Sequence, residues 1–173
     1  MERKTLSTNS GMWALWDYLT YNYINDYGDW AEAFEEEEDL VRAIEKKSFV
    51  PININSDGAF DFVVKVNENL NDREKKYLLV TSKNYVIDSS GKLILSGIEF
   101  INGEIKEKNY ISIETPKGFH NVRINLIDWK KEPHSLDENN MPTKDSLPDF
   151  IIEIDIIEPS IINNEFSKSL KTF

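Results

Sequence analysis

Three stretches of this chain alternate apolar and polar residues with period two, a spacing that an extended strand sorts onto opposite faces. Phe60, Phe62, Val64 and Val66 alternate with Asp61 and Lys65. Val122, Ile124 and Leu126 alternate with Asn121, Arg123 and Asn125. Phe150, Ile152, Ile154 and Ile156 alternate with Glu153 and Asp155. Shorter β candidates lie at 77–82, 84–87, 93–98 and 110–114. Turn chemistry separates them at Ser56-Asp57-Gly58, Asp88-Ser89-Ser90-Gly91, Asn102-Gly103 and Pro116-Lys117-Gly118. Many short strands with regular turns predict a mainly β, α+β chain: an antiparallel β-sandwich or barrel with one N-terminal amphipathic acidic helix.

With 173 residues the chain is long enough for one sizeable core, so a single domain over 1–173 is expected. Residues 12–158 form its folded part in this reading. Residues 1–11 read as flexible, 130–148 as a long loop, and 159–173 as a loosely attached tail or short helix. Residues 12–24 fit two periods. Met12, Leu15, Trp16, Leu19 and Tyr23 fit a helix; Trp13, Leu15, Leu19, Tyr21 and Tyr23 fit one strand face. Aromatic and β-branched enrichment favours the strand.

The formal net charge is −11, and it is local. Asp26, Asp29, Glu32, Glu35, Glu36, Glu37, Glu38 and Asp39 fall in one window without a base, and the remainder is nearly balanced. The window opens a helix predicted over 30–46. Asp29 suits its N-cap, with Glu32 at capping-box spacing. Trp30, Ala33, Phe34, Val41 and Ile44 make one apolar stripe. Pro51 bars the helix from continuing.

Several functions are excluded or weakened by residue types. No cysteine is present, which removes disulfides, thiolate zinc sites and cysteine nucleophiles. The acidic balance opposes direct binding of nucleic acid or of an anionic membrane, and it calls for a basic protein partner. No leader or bilayer-length apolar run is visible, so a cytoplasmic location is expected. No cofactor is implied, because no glycine-rich loop opens a helix with a Lys-Ser/Thr pair.

The most motif-like stretch, Asn53 to Asp61, mimics the start of a calcium loop. Val64 stands where such a loop needs a bidentate Glu, so a plain hairpin turn is expected. His120 and His134 have no partner at metal-ligand spacing. Glu153 and Asp155 share a strand face and resemble the paired carboxylates of acid/base chemistry. With Ile filling the opposite face, they read instead as the solvated side of a half-buried strand. No catalytic residues and no metal ligands are therefore assigned.

The order of features resembles the small acidic nuclease inhibitors of bacterial competence loci (competence protein J-like) and related toxin-immunity proteins. The matching residues are Gly28 to Ala33 opening the helix, Phe60 to Val66, Glu74 to Tyr77 and Ile87 to Gly91. They continue with Ser112 to Gly118, leading into Val122 to Leu126. The resemblance implies a β-sandwich that binds and blocks a nuclease. The expected function is thus that of an immunity protein, not an enzyme. It would occlude the basic active-site groove of a cognate toxin, in the manner of contact-dependent inhibition systems. Asp26, Asp29, Glu32, Glu35, Glu36 and Asp39 are the expected contacting acids, with Tyr27 and Trp129 as aromatic anchors. A carbohydrate- or ligand-binding sandwich is the alternative, and it requires an exposed row of Trp and Tyr in a groove.

Overall fold

The computed structural model describes residues 3–102, 109–162 and 165–173. The turn signal at Gly103 lies outside them, as do residues 1–2 of the N-terminal segment and 163–164 of the tail. Among the described residues the strands form two sheets. The first runs β1 (Arg3–Thr8), β4 (Gly58–Val66), β10 (Phe150–Ile156), β9 (Gly118–Ile127) and β5 (Leu78–Thr81), with β6 (Tyr85–Ser89) also on β9. The second runs β3 (Phe49–Asn53), β2 (Met12–Asp17), β7 (Lys92–Gly97) and β8 (Tyr110–Glu114). Among the described strands only β4 and β10 pair in parallel. The architecture is a sandwich of two sheets, and the three strictly alternating stretches are the neighbours β4, β10 and β9.

One core joins the sheets. Trp13 of β2 meets Phe60 edge-on at 5.3 Å and Phe62 at 5.6 Å, and Phe62 stacks on Phe150 at 5.0 Å. The other face of β2 is also covered. Trp16 packs on Tyr21, Tyr21 on Phe34, and Phe34 on Phe49. Tyr21 and Phe34 come from a helical layer of α1 (Tyr18–Tyr21), α2 (Tyr27–Phe34) and α3 (Glu37–Glu45), and Trp16 and Phe49 from the strands beneath it. A strand buried on both faces loses its alternation, which is why residues 12–24 fitted two periods. They hold both elements: β2, then α1, with Asp17 capping the helix through the Thr20 amide at 3.0 Å.

The single helix expected over 30–46 is two helices. Glu36 takes an extended conformation (φ −96°, ψ 145°) and separates α2 from α3. The cause is electrostatic. A continuous helix would stack four consecutive Glu in mid-helix, where like charges one turn apart repel. Restarting at Glu37 places Glu37, Glu38 and Asp39 in a first turn, where the dipole favours acids. The cap of α2 is Asp26, not Asp29. Its Oδ1 accepts the Asp29 amide at 3.0 Å, while Asp29 Oδ2 accepts the Asn25 amide at 2.9 Å.

Other expectations are corrected. Residues 3–8 are not a flexible leader: β1 pairs with β4 and buries Leu6 completely. Asn53 to Asp61 is not a hairpin turn, because β3 and β4 belong to different sheets. The tail is pinned after its short 3₁₀ turn Pro159–Ile161. Thr172 Oγ1 accepts the Asn53 amide at 2.8 Å and donates to Pro51 O at 3.1 Å.

The largest correction concerns β10. Its polar side is not solvated, and Glu153 is 4% exposed. A second apolar cluster of Leu70, Ile127, Trp129, Leu147 and Ile151 covers the outer face of this sheet. Glu153 accepts the Leu70 amide at 3.1 Å and the Asn125 amide nitrogen at 2.9 Å. Glu153 and Asp155 both face Arg123 at 3.5 Å. That arrangement anchors a covering segment rather than forming an acid/base pair. His120 is fully buried, with Nε2 2.9 Å from Pro116 O and Nδ1 without a partner.

Candidate partner-binding face

The acidic residues lie on the outer side of the helical layer because α2 and α3 pack over β2 and β3 with their apolar sides inward. Phe34, Leu40, Ala43 and Ile44 are buried. Asp26, Glu32, Glu35, Glu36, Glu37 and Glu38 are exposed, and Asp29 and Asp39 are half-buried. Asp39 differs from the others in carrying its own cation, Arg42 one turn on.

Tyr27 is 69% exposed. One ring face stacks on Trp30 with centroids 5.9 Å apart and 20° between planes, and its hydroxyl reaches Glu35 Oε1 at 3.3 Å. Trp30 is fixed in turn by its indole N–H on Ile98 O at 2.9 Å. A polar aromatic presented on a locked neighbour has little conformational freedom left to lose on docking, which suits an anchor.

Tyr27 stands at the rim of a groove of about 530 Å³ that also takes in Asp26, Trp30, Glu99, Ile101 and Asn102. Its second wall comes from the segment after β7. Glu99 is held there by Thr8 Oγ1 at 2.8 Å and the Asn9 amide at 2.7 Å. Asn102 Oδ1 is buried and has no hydrogen-bond partner among the described residues. A second groove of about 650 Å³ lies on the other side of α2, between Glu32, Tyr23, Asp39, Arg42 and Lys46. This one contains bases of its own.

The structure therefore gathers Asp26 and Tyr27 at one groove and Glu32 and Asp39 at the other, with Glu35 and Glu36 on the ridge after α2. Trp129 is elsewhere. It is 9% exposed, belongs to the cluster under β10, and donates its indole N–H to Asp149 at 2.7 Å. It is a core residue and offers no anchor surface. Trp13 and Trp16 are fully buried as well, so the row of exposed rings that a sugar-binding sandwich needs is missing among them. Glu99 and Asn102 were not legible as site residues. They reach α2 through the pairing of β2 with β7, which sequence spacing does not encode.

No protein-family model matches the sequence, and no curated protein is significantly similar to it. Two solved structures are similar to it. One is ComJ from Bacillus subtilis, an inhibitor of the DNA-degrading activity of NucA: TM-score 0.53, 10% identity, 91% of this chain and 96% of that one covered. The other is the crocagin biosynthetic gene J protein: TM-score 0.52, 16% identity, 89% of this chain and 97% of that one covered. This chain has the ComJ fold. The likeness runs through nearly the whole of each chain. At these identities it is a likeness of fold. Among the described residues no helix is long and apolar enough to cross a membrane.

Proposed function

We propose that this chain is a nuclease inhibitor: a cytoplasmic immunity protein that binds a cognate toxin domain and occludes its basic substrate groove. One observation carries the reading. On a fold shared with an inhibitor of a DNA-degrading enzyme, the exposed acids of α2 and the start of α3 lie in the same helical layer as a preorganised Tyr27. A nuclease must present Lys and Arg to phosphates, so an acidic face with an aromatic anchor is complementary to its groove. The acids would raise association above the neutral rate of about 10⁵–10⁶ M⁻¹s⁻¹, and Tyr27 would lengthen residence. No catalytic role is required of any side chain.

The test is inhibition in a purified system. The full chain is added to NucA, and in parallel to any nuclease domain found encoded beside its gene as the candidate cognate domain, and DNA cleavage is followed. Stoichiometric loss of cleavage by the cognate domain is expected. Full cleavage by that domain in the presence of excess protein, with no complex on gel filtration, would overturn the assignment.

A further inference from the structure

The helical layer leaves large apolar side chains in water. Leu19 is 55% exposed and Tyr23 53%, and both come from α1 and the turn after it. The cause is local geometry. α1 turns Tyr21 inward onto Phe34, and two residues along a helix is about 200° round its axis, so Leu19 faces away from that core. Tyr23 shares the second groove beside α2 with Glu32 and Asp39. Among the described residues its ring stacks on no other and its hydroxyl has no hydrogen-bond partner. Tyr27, exposed on α2, extends the same run of apolar surface. The exposed Leu79 and Val80 differ, because they lie where the short edge strand β5 shifts its register.

An exposed apolar centre with a charged rim is the anatomy of a protein-binding surface. The rim selects the occupant. Asp26 stands between Tyr23 and Tyr27 in sequence, Glu32 lines the groove of Tyr23, and the acids from Asp26 to Asp39 outnumber the bases of α3 and its end. Of those bases Arg42 is already held by Asp39. A second copy would set these acids against themselves, at a cost that like charges impose on any wrong partner. The complement is a basic surface with an apolar residue among its Lys and Arg. We propose that Leu19 and Tyr23 form the apolar centre of the partner interface and receive such a surface. The inference rests on the inhibitor assignment for the identity of the partner, but not for the chemistry of the patch. It places the energetic centre on α1, outside the acidic helices. The acids set the rate of encounter; Leu19 and Tyr23 set the residence time.

The patch is tested on the full chain with three synthetic heptapeptides, one alternating Lys with Leu, one Lys with Ser and one Glu with Leu. Binding is followed through the amide signals of residues 18–27 by nitrogen-15 NMR. A saturable shift with the Lys-Leu peptide is expected, with affinity about tenfold or more weaker for Lys-Ser and no response to Glu-Leu. The double variant Leu19→Ser, Tyr23→Ser changes exposed side chains and should fold as wild type. It should lose about tenfold or more in affinity for Lys-Leu and keep the wild-type affinity for Lys-Ser. Leu79→Ser, at an equally exposed residue of β5, should change neither. Equal affinities for Lys-Leu and Lys-Ser, a response to Glu-Leu as strong as to Lys-Leu, or an unchanged affinity in the double variant would each overturn the proposal. So would self-association that broadens the signals of residues 18–27 with protein concentration, because the occupant would then be a second copy. The two assignments fail separately. With a nuclease that the chain inhibits, the double variant should dissociate about tenfold faster and associate within about threefold of wild type. Dissociation at the wild-type rate removes the patch and leaves the inhibitor. A Lys-Leu response with no nuclease inhibited keeps the patch and removes the inhibitor.

Discussion

Lys65 of β4 and Glu153 of β10 are register partners in a parallel pair, both are buried, and both hydrogen-bond to the segment between them in sequence, Lys65 as donor and Glu153 as acceptor. Lys65 Nζ donates to Glu74 Oε2 at 2.6 Å and to Asn69 O at 3.2 Å. Glu153 accepts the Leu70 amide. Two alternating polar positions thus hold residues 69–74 over the sheet, and α4 (Asp72–Lys76) starts from a capping box of Asn71 and Glu74. Glu74 serves that box and Lys65 together through one carboxylate oxygen.

Removing Glu74 should therefore be costly. Glu74→Ala leaves a buried ammonium short of its counter-charge and opens the capping box, for a loss of about 3 kcal/mol in urea unfolding. The double variant Lys65→Met, Glu74→Leu should lose clearly less, because no uncompensated charge remains. A double variant as unstable as Glu74→Ala would show that the covering segment is held by packing alone.

Tyr21 predicts an alkaline weakness. Its hydroxyl is 2.6 Å from Ser48 Oγ, and burial pushes its pKa up to about 12. Above pH 10 the unfolded chain ionises this phenol while the native chain keeps it neutral. Stability present below pH 10 is then lost as pH rises towards 12, on the order of 2 kcal/mol from this group. Tyr21→Phe should cost about 1 kcal/mol at pH 7 and flatten the alkaline limb of a pH–stability curve. An unchanged limb would assign the loss to other groups.

Thr172 tests whether the C-terminus belongs to the fold. Thr172→Val removes the acceptor of the Asn53 amide and the donor to Pro51 O, at a cost of about 1–2 kcal/mol. Hydrogen exchange at the Asn53 amide should accelerate more than at the centre of β2. Equal protection in both proteins would mean that the tail contributes no order to the edge of β3.

The acidic ridge should act through rate. Glu32, Glu35 and Glu36 are exposed and lie off the buried side of the helices, so their reversal to Lys should change stability by no more than about 0.5 kcal/mol. The association rate with the cognate nuclease should fall at least about tenfold, and its dependence on salt should flatten. A rate and salt slope equal to wild type would move the interface off this face.

Much of the fold follows from the chain's own order of residues. Period-two alternation placed β4, β9 and β10, and turn chemistry separated the shorter strands, because both are local consequences of backbone geometry. The density of acids between Asp26 and Asp39 marked the face later found exposed. Tertiary structure decided what lay beyond local reach. Whether Glu153 faces water depended on a covering segment that arrives from residues 69–74 and 129–147. Whether residues 12–24 are strand or helix depended on the layers that bury both sides of β2. Trp129 looked like an anchor and is core, since an aromatic residue carries no mark of which surface will be folded over it. The −11 total was sequence; the groove at Asp26, Tyr27 and Glu99 was made by bringing two distant segments together, and charge becomes a site only when a fold surrounds it.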